Sequence, residues 1–142
     1  MTDDLRAIAA RIPLLAGHDG PAERLGGLTN RVYRLGAHIL RVPGEGTADY
    51  IDRGNEAVAA ELAAKAGVSP ALLYVDPASG LMVTEYVPGA VTMSPDGFRS
   101  RPGAVARAGQ AFRRLHDSGA QFPFRFELFA MIDDYLRLLS TR

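Results

Sequence analysis

The 142-residue chain contains no cysteine, which excludes disulfides, thiolate zinc sites and a cysteine nucleophile. It has a single lysine, Lys65, so arginine carries nearly all of its positive charge. Basic and acidic residues number 16 each, and the formal net charge is zero. No general pull toward nucleic acid or anionic lipid is expected from that balance. No apolar run approaches the length of a membrane span. The opening MTDDLRAIAARIPLLAG is acidic and then amphipathic, without the basic start and long apolar core of a signal peptide. These absences point to a cytoplasmic protein that engages neither nucleic acid nor membrane.

What is present is a globular composition, 47% hydrophobic and 23% charged. Residues 3–11 have helical spacing, with Leu5, Ile8 and Ala9 on one side and Pro13 as a stop. Three strands are predicted next: Pro21 to Leu28, Arg31 to Leu35, and His38 to Val42 closed by Pro43. Gly36-Ala37 between the last two suits a type II′ hairpin, which takes glycine first. A polar loop then leads into a helix predicted from Ala48 to Ala66 and stopped by Gly67. Two more strands, Leu72–Val75 and Leu81–Tyr86, flank a turn at Asp76–Gly80. Beyond Val87 the character changes, and Pro102 to Arg142 reads as helix only. One stripe runs Val105, Ala108, Phe112, Leu115, and another runs Leu128, Ile132, Tyr135, Leu139. The shift near Val87–Gly97 divides the chain into residues 1–87 and 88–142.

The stretch LGGLTNRVYRLGAHILRVPGEGT gathers the chemistry. A glycine-rich turn between antiparallel strands lets backbone N–H groups approach a phosphate closely. Thr29 and Asn30 add donors or stiffen the turn. Strand alternation puts Arg41 on one face with Ile39, and His38, Leu40 and Val42 on the other. A cation on an apolar strand face requires an anion. Glu56 is the candidate carboxylate, on a helix flank lined by Ala60 and Ala63 that would let the helix approach the sheet. Taken singly, a Gly-Gly turn is most often only a turn, and a strand arginine most often a snorkelling surface residue. Their order, glycine turn then strand cation then helix carboxylate, is that of a kinase nucleotide lobe.

GGLTN, the strand ending ILRVPG, the helix beginning at Asn55-Glu56 and the run GVSPALLYVDPASGLMVTEYVPGAVTMS together resemble the N-terminal half of choline/ethanolamine kinases. These belong to the aminoglycoside-phosphotransferase-like group, with a protein-kinase-like fold. The resemblance spans roughly residues 20 to 139. It implies an α+β architecture: a nucleotide lobe (1–87) with a five-stranded antiparallel sheet and one packed helix, then a hinge and the first helices of a helical lobe (88–142). It implies ATP and Mg2+ as cofactors and a small amino alcohol as phosphoryl acceptor. Carried over by position, Gly26, Gly27, Thr29 and Asn30 correspond to the nucleotide loop. Arg41 corresponds to the strand cation, and Glu56 to its helix partner beneath the glycine turn. Glu85, Tyr86 and Val87 fall at the hinge, where the backbone of Glu85 and Val87 would meet the adenine edge. Val83, Ile39 and Leu25 are expected to wall the base.

The family's H-x-D-x-x-x-x-N catalytic loop is not in the chain. His116-Asp117 comes nearest, but Phe122 stands where the asparagine would be, and the pair reads as a helix C-terminus before Gly119. Neither a P-loop nor a dinucleotide fingerprint is present, and His18, His38 and His116 lack metal-ligand spacing. Catalytic base and metal ligands are thus expected from further chain, and this portion alone is expected to be inactive. A fragment, a truncated gene or a stand-alone remnant would each fit. The last helix, LFAMIDDYLRLL, is apolar around much of its girth. Packing on the Val105–Leu115 stripe would cover one side, and a complementing C-terminal fragment or another subunit the rest. A non-catalytic nucleotide-binding or oligomerising module, or a kinase for an aminoglycoside or sugar, are the alternatives.

Overall fold

A computed structural model describes residues 1–27 and 29–140. Leu28, at the end of the first predicted strand, and Arg142, at the end of the last predicted helix, lie outside the described residues. Helix α1 (Asp3–Ala10) is capped by Thr2, whose side chain accepts from the Leu5 N–H, and carries Asp3 and Asp4 in its first turn. Three antiparallel strands follow: β1 (Ala22–Gly26), β2 (Asn30–Leu35) and β3 (His38–Pro43). Gly36 at φ +61 makes the β2–β3 turn, flanked by the Leu35–His38 pair. Ala37 keeps a negative φ, as the type II′ assignment requires.

Helix α2 (Arg53–Lys65) starts later than its apolar spacing predicts. The Asp52 side chain accepts from the Asn55 N–H, and that cap sets the true start. Before it the chain makes only a short 3-10 turn, Thr47–Asp49. Strands β4 (Leu72–Asp76) and β5 (Leu81–Glu85) complete one five-stranded antiparallel sheet in the order β1-β2-β3-β5-β4. The succession of one helix, three strands, one helix and two strands is as the sequence indicates. Beyond the sheet come α3 (Pro95–Ser100), which spacing alone did not reveal, then α4 (Ala104–Asp117) and α5 (Leu128–Ser140). The helical stop predicted at Gly119 is observed: α4 ends at Asp117, Gly119 has φ +71, and residues 118–127 separate α4 from α5. The α4 stripe does not receive α5: Val105 and Phe112 stay 69% and 66% exposed.

The two sheet faces do different work. Leu35, Leu40, Val42, Leu81 and Val83 point to one side and pack against Leu5, Ala9, Ile12 and Leu15 from α1 and the turns after it. That is the core. The opposite face carries Ile39 and Arg41, paired across to Thr84 and Met82 on β5. Helix α2 serves this second face. Within α2 only Ala57 is fully buried, while Val58 and Leu62 are half-buried, so α2 adds less to the core than α1 does. Truncating a core residue should therefore cost far more than truncating an α2 residue. Ile12→Ala is expected to lose about 2–5 kcal/mol in urea unfolding, and half-buried Leu62→Ala clearly less.

Candidate functional site

Strand β3 and helix α2 bring Arg41 and Glu56 into direct contact. Arg41 Nη1 donates to Glu56 Oε1 at 2.7 Å and Arg41 Nη2 to Glu56 Oε2 at 2.7 Å, a parallel two-pronged pair. Arg41 Nη2 also lies 3.4 Å from the Gly80 carbonyl. The side chains are 21% and 23% exposed, so the pair is partly desolvated. Arg41 Nε is buried and has no partner among the described residues, and the same holds for Asn30 Oδ1. No gap separates the guanidinium from the carboxylate, so an anion would meet the outer edge of the pair.

A second arginine, which the sequence reading passed over, completes the cluster. Arg53 Nη1 donates to Glu56 Oε2 at 2.8 Å, and its Nη2 to Thr47 Oγ1. Thr47 Oγ1 in turn donates to the Gly44 carbonyl at 2.7 Å. The Arg53 side chain is only 10% exposed. It runs beside Gly80, where a Cβ would lie 2.8 Å from Arg53 Nε and from Pro43 Cγ. Two guanidinium groups thus share one carboxylate, and the cluster keeps a surplus of one positive charge. Burial by itself would raise the Glu56 pKa. The hydrogen bonds and charges of Arg41 and Arg53 outweigh it and hold the carboxyl below its ordinary value of 4.5.

The glycine turn sits at the same end of the sheet. Gly26 and Gly27 have φ +128 and +114, values side chains rarely adopt. A Cβ on Gly27 would fall 1.9 Å from the Asn30 carbonyl oxygen. Gly44 meets the turn from the other side, because its own Cβ would fall 1.9 Å from the Thr29 carbonyl oxygen. Gly27, Thr29, Asn30, Gly44 and Thr47 line a cleft of about 440 Å³. Arg41 and Glu56 lie outside that cleft's lining and are joined to it through Arg53 and Thr47.

A second cleft of about 410 Å³ lies farther along the same face. Leu25, Ile39, Thr84, Glu85, Tyr86 and Val87 line it, so Leu25, Ile39 and the hinge residues do come together. Val83 does not join them: it pairs with Leu40 and is fully buried in the core on the other face. Thr84 takes its place. The Glu85 N–H is spent on the Ala71 carbonyl at 3.0 Å, and its side chain accepts from the Ala71 N–H. The Val87 N–H has no partner among the described residues. Arg34 stacks over the Tyr86 ring at 3.9 Å from the centroid.

No family model matches the chain, and no curated protein does. Solved structures do. A choline/ethanolamine kinase family protein from Mesorhizobium loti superposes with a TM-score of 0.84 at 67% identity, over 97% of this chain and 46% of that one. The chain belongs to the choline/ethanolamine kinase family. The choline kinase LicA from Streptococcus pneumoniae superposes with a TM-score of 0.74 at 23% identity, over 96% of this chain and 49% of that one. At that identity the second likeness speaks for the fold. The chain therefore spans about half the length of these two structures, and its five-stranded antiparallel sheet with helices is consistent with a kinase-like N-lobe. Among the described residues, no helix is long and apolar enough to cross a membrane.

Sequence reasoning missed Arg53, Thr47, Gly44 and Gly80 as parts of this site. One signal that could have found the first was the spacing of Arg53 to Glu56, i to i+3 in a first helical turn.

Gly27→Ala should lose about 1–3 kcal/mol and more than Gly26→Ala, where a Cβ meets open space; thermal melts compare them. Glu56→Gln leaves two guanidinium groups facing a neutral amide and should cost about 1.5–3 kcal/mol at neutral pH in urea unfolding. Because the folded pKa of Glu56 is depressed, its contribution is complete above 4.5 and is lost as pH falls through the lowered value. The gap between wild type and Glu56→Gln should accordingly close on acidification below that point. A gap that stays constant with pH would refute it.

Proposed function

We propose that these residues are the ATP-binding portion of a choline/ethanolamine kinase-like small-molecule phosphotransferase. One observation carries the reading: Arg41 and Arg53 share the single carboxylate of Glu56, which leaves the cluster one positive charge in surplus at the end of the sheet where the glycine turn lies. That surplus favours a polyanion, such as the phosphates of a nucleotide. In this reading the backbone of Gly26, Gly27, Thr29 and Asn30 closes over the phosphates. Arg41 holds a phosphate oxygen, with Glu56 fixing the angle of its guanidinium. The cleft beside Leu25 and Ile39 takes the adenine, whose edge meets the backbone of Glu85 and Val87.

When bound, ATP supplies the transferable γ-phosphoryl group, and the acceptor is a small amino alcohol. The role of the described residues is to bind and orient, and no candidate base stands among them. Among the described residues, no group of three or more His, Asp or Glu gathers that could hold a metal ion. We place the Mg2+ ligands and the base in the other half of the length that family structures have, and a cytoplasmic location goes with this reading. Residues 1–87 then form the nucleotide lobe, and 88–142 the hinge and the first part of the helical lobe. A second reading, a non-catalytic nucleotide-binding or oligomerising module, draws on the exposure of Phe112, Phe129 and Leu139 on the last two helices.

Calorimetric titration of the chain with ADP tests the first reading. Arg41→Ala should weaken ADP binding roughly 10- to 150-fold, the equivalent of one charge-assisted contact. Wild-type protein that ignores ADP, or an Arg41→Ala variant that binds it equally well, would overturn the reading. Measurable choline phosphorylation by residues 1–142 alone would overturn the placement of base and metal ligands elsewhere.

A further inference from the structure

Arg53 stands in the first turn of α2, where a cation opposes the helix dipole. It is nevertheless the least exposed charged side chain in any of the ion pairs between described residues. Its guanidinium bridges Glu56 Oε2 and Thr47 Oγ1, which lie on different segments. Thr47 is itself 3% exposed, and its hydroxyl hydrogen is committed to the Gly44 carbonyl. Gly44 has the Thr29 carbonyl seated against its Cα, in the space a side chain would fill. The contacts run from Arg41 through Glu56, Arg53, Thr47 and Gly44 to Thr29.

We propose that Arg53 is a positioning residue that ties the pose of the glycine turn to the pose of Arg41. The turn is anchored on one side by the sheet and on the other by Gly44. Gly44 in turn is fixed by a threonine whose hydroxyl oxygen accepts from Arg53. Glu56 Oε2 accepts from Arg41 and Arg53 together, so the carboxylate cannot swing with one arginine without straining its bond to the other. One side chain thereby sets both halves of an anion cradle. This deepens the nucleotide reading and rests on it only for the affinity arm of the test.

The experiment uses the 142-residue chain with Arg53→Met and Thr47→Val, the second of which removes a hydroxyl and alters no charge. Without ligand, amide hydrogen exchange is followed at Thr29 and Asn30, with amides of β3 and β5 as internal reference. Both variants should speed exchange at the turn by about tenfold while the reference strands hold. Both should also weaken ADP binding by a similar factor, with the double variant little worse than either single one. Turn exchange unchanged in Thr47→Val, or raised equally at turn and reference strands, would overturn the proposal. Should Arg53→Met not fold, Thr47→Val alone decides it on the same criteria. If the wild type binds no ADP, the nucleotide reading falls, while the exchange rates still decide whether the linkage exists.

Discussion

The structure around the site depends on one ion pair, Arg41 with Glu56. Through it the second face of the sheet is tied to a helix by charge, alongside the packing of Ala57, Val58 and Leu62. Its two short parallel bonds fix the guanidinium plane, something a lysine ammonium would not do. A partly desolvated pair of this kind has to offset the cost of leaving water. The offset here comes from the geometry of the fork and from Arg53, which gives the carboxylate a third donor. The consequence is a cluster with more positive than negative charge, poorly suited to rest alone and well suited to an anion.

The division of labour between the sheet faces explains how such a cluster is tolerated. Helix α1 and the turns after it cover the apolar face with Leu5, Ile12 and Leu15, so the core is complete without α2. Helix α2 is then free to be rich in alanine, mostly half-buried, and to approach the sheet closely enough for Glu56 to reach Arg41. A bulkier α2, packed for stability, would push the carboxylate away from the strand. Local tolerance of small residues on α2 is thus linked to large residues elsewhere.

Much of this was readable from residues. Period-two alternation placed Arg41 opposite Leu40 and Val42 because β3 has one apolar face and one mixed face. Gly36, Gly67 and Gly119 marked ends of elements because each needs a positive φ. The family resemblance rested on those same features, and the solved relatives bear out the fold it implied. What escaped the sequence had physical causes. Strand β5 reads Leu81-Met82-Val83, apolar on both faces, so alternation gave no direction and only its pairing with β3 put Val83 in the core. The start of α2 depended on whether the helix would be capped before Ala48 or at Asp52, which spacing does not decide. Arg53 was passed over, because two of its neighbours, Thr47 and Gly80, come from outside its helix. Long-range contacts of that sort leave no periodic trace.

The helical portion obeys a different balance. Isolated helices of 13 or 14 residues are marginal in water, and α4 and α5 bury little: Phe129 is 80% exposed and Leu139 71%. Helix α5 touches the rest through Tyr135, edge-on to Tyr50 at 5.8 Å, in the segment between the Thr47 turn and α2. That point of contact matters, since Tyr50 also borders the cleft at the glycine turn. Whatever steadies α5 therefore bears on the loop that carries Thr47 and Gly44. The sheet and its ion pair form the stable end of the molecule, and the glycine turn lies between that end and a loosely held helix. A turn so placed is steadied through Arg53, Thr47 and Gly44, by contacts that are short and nearly dry, whereas Tyr50 borders its cleft and stays exposed.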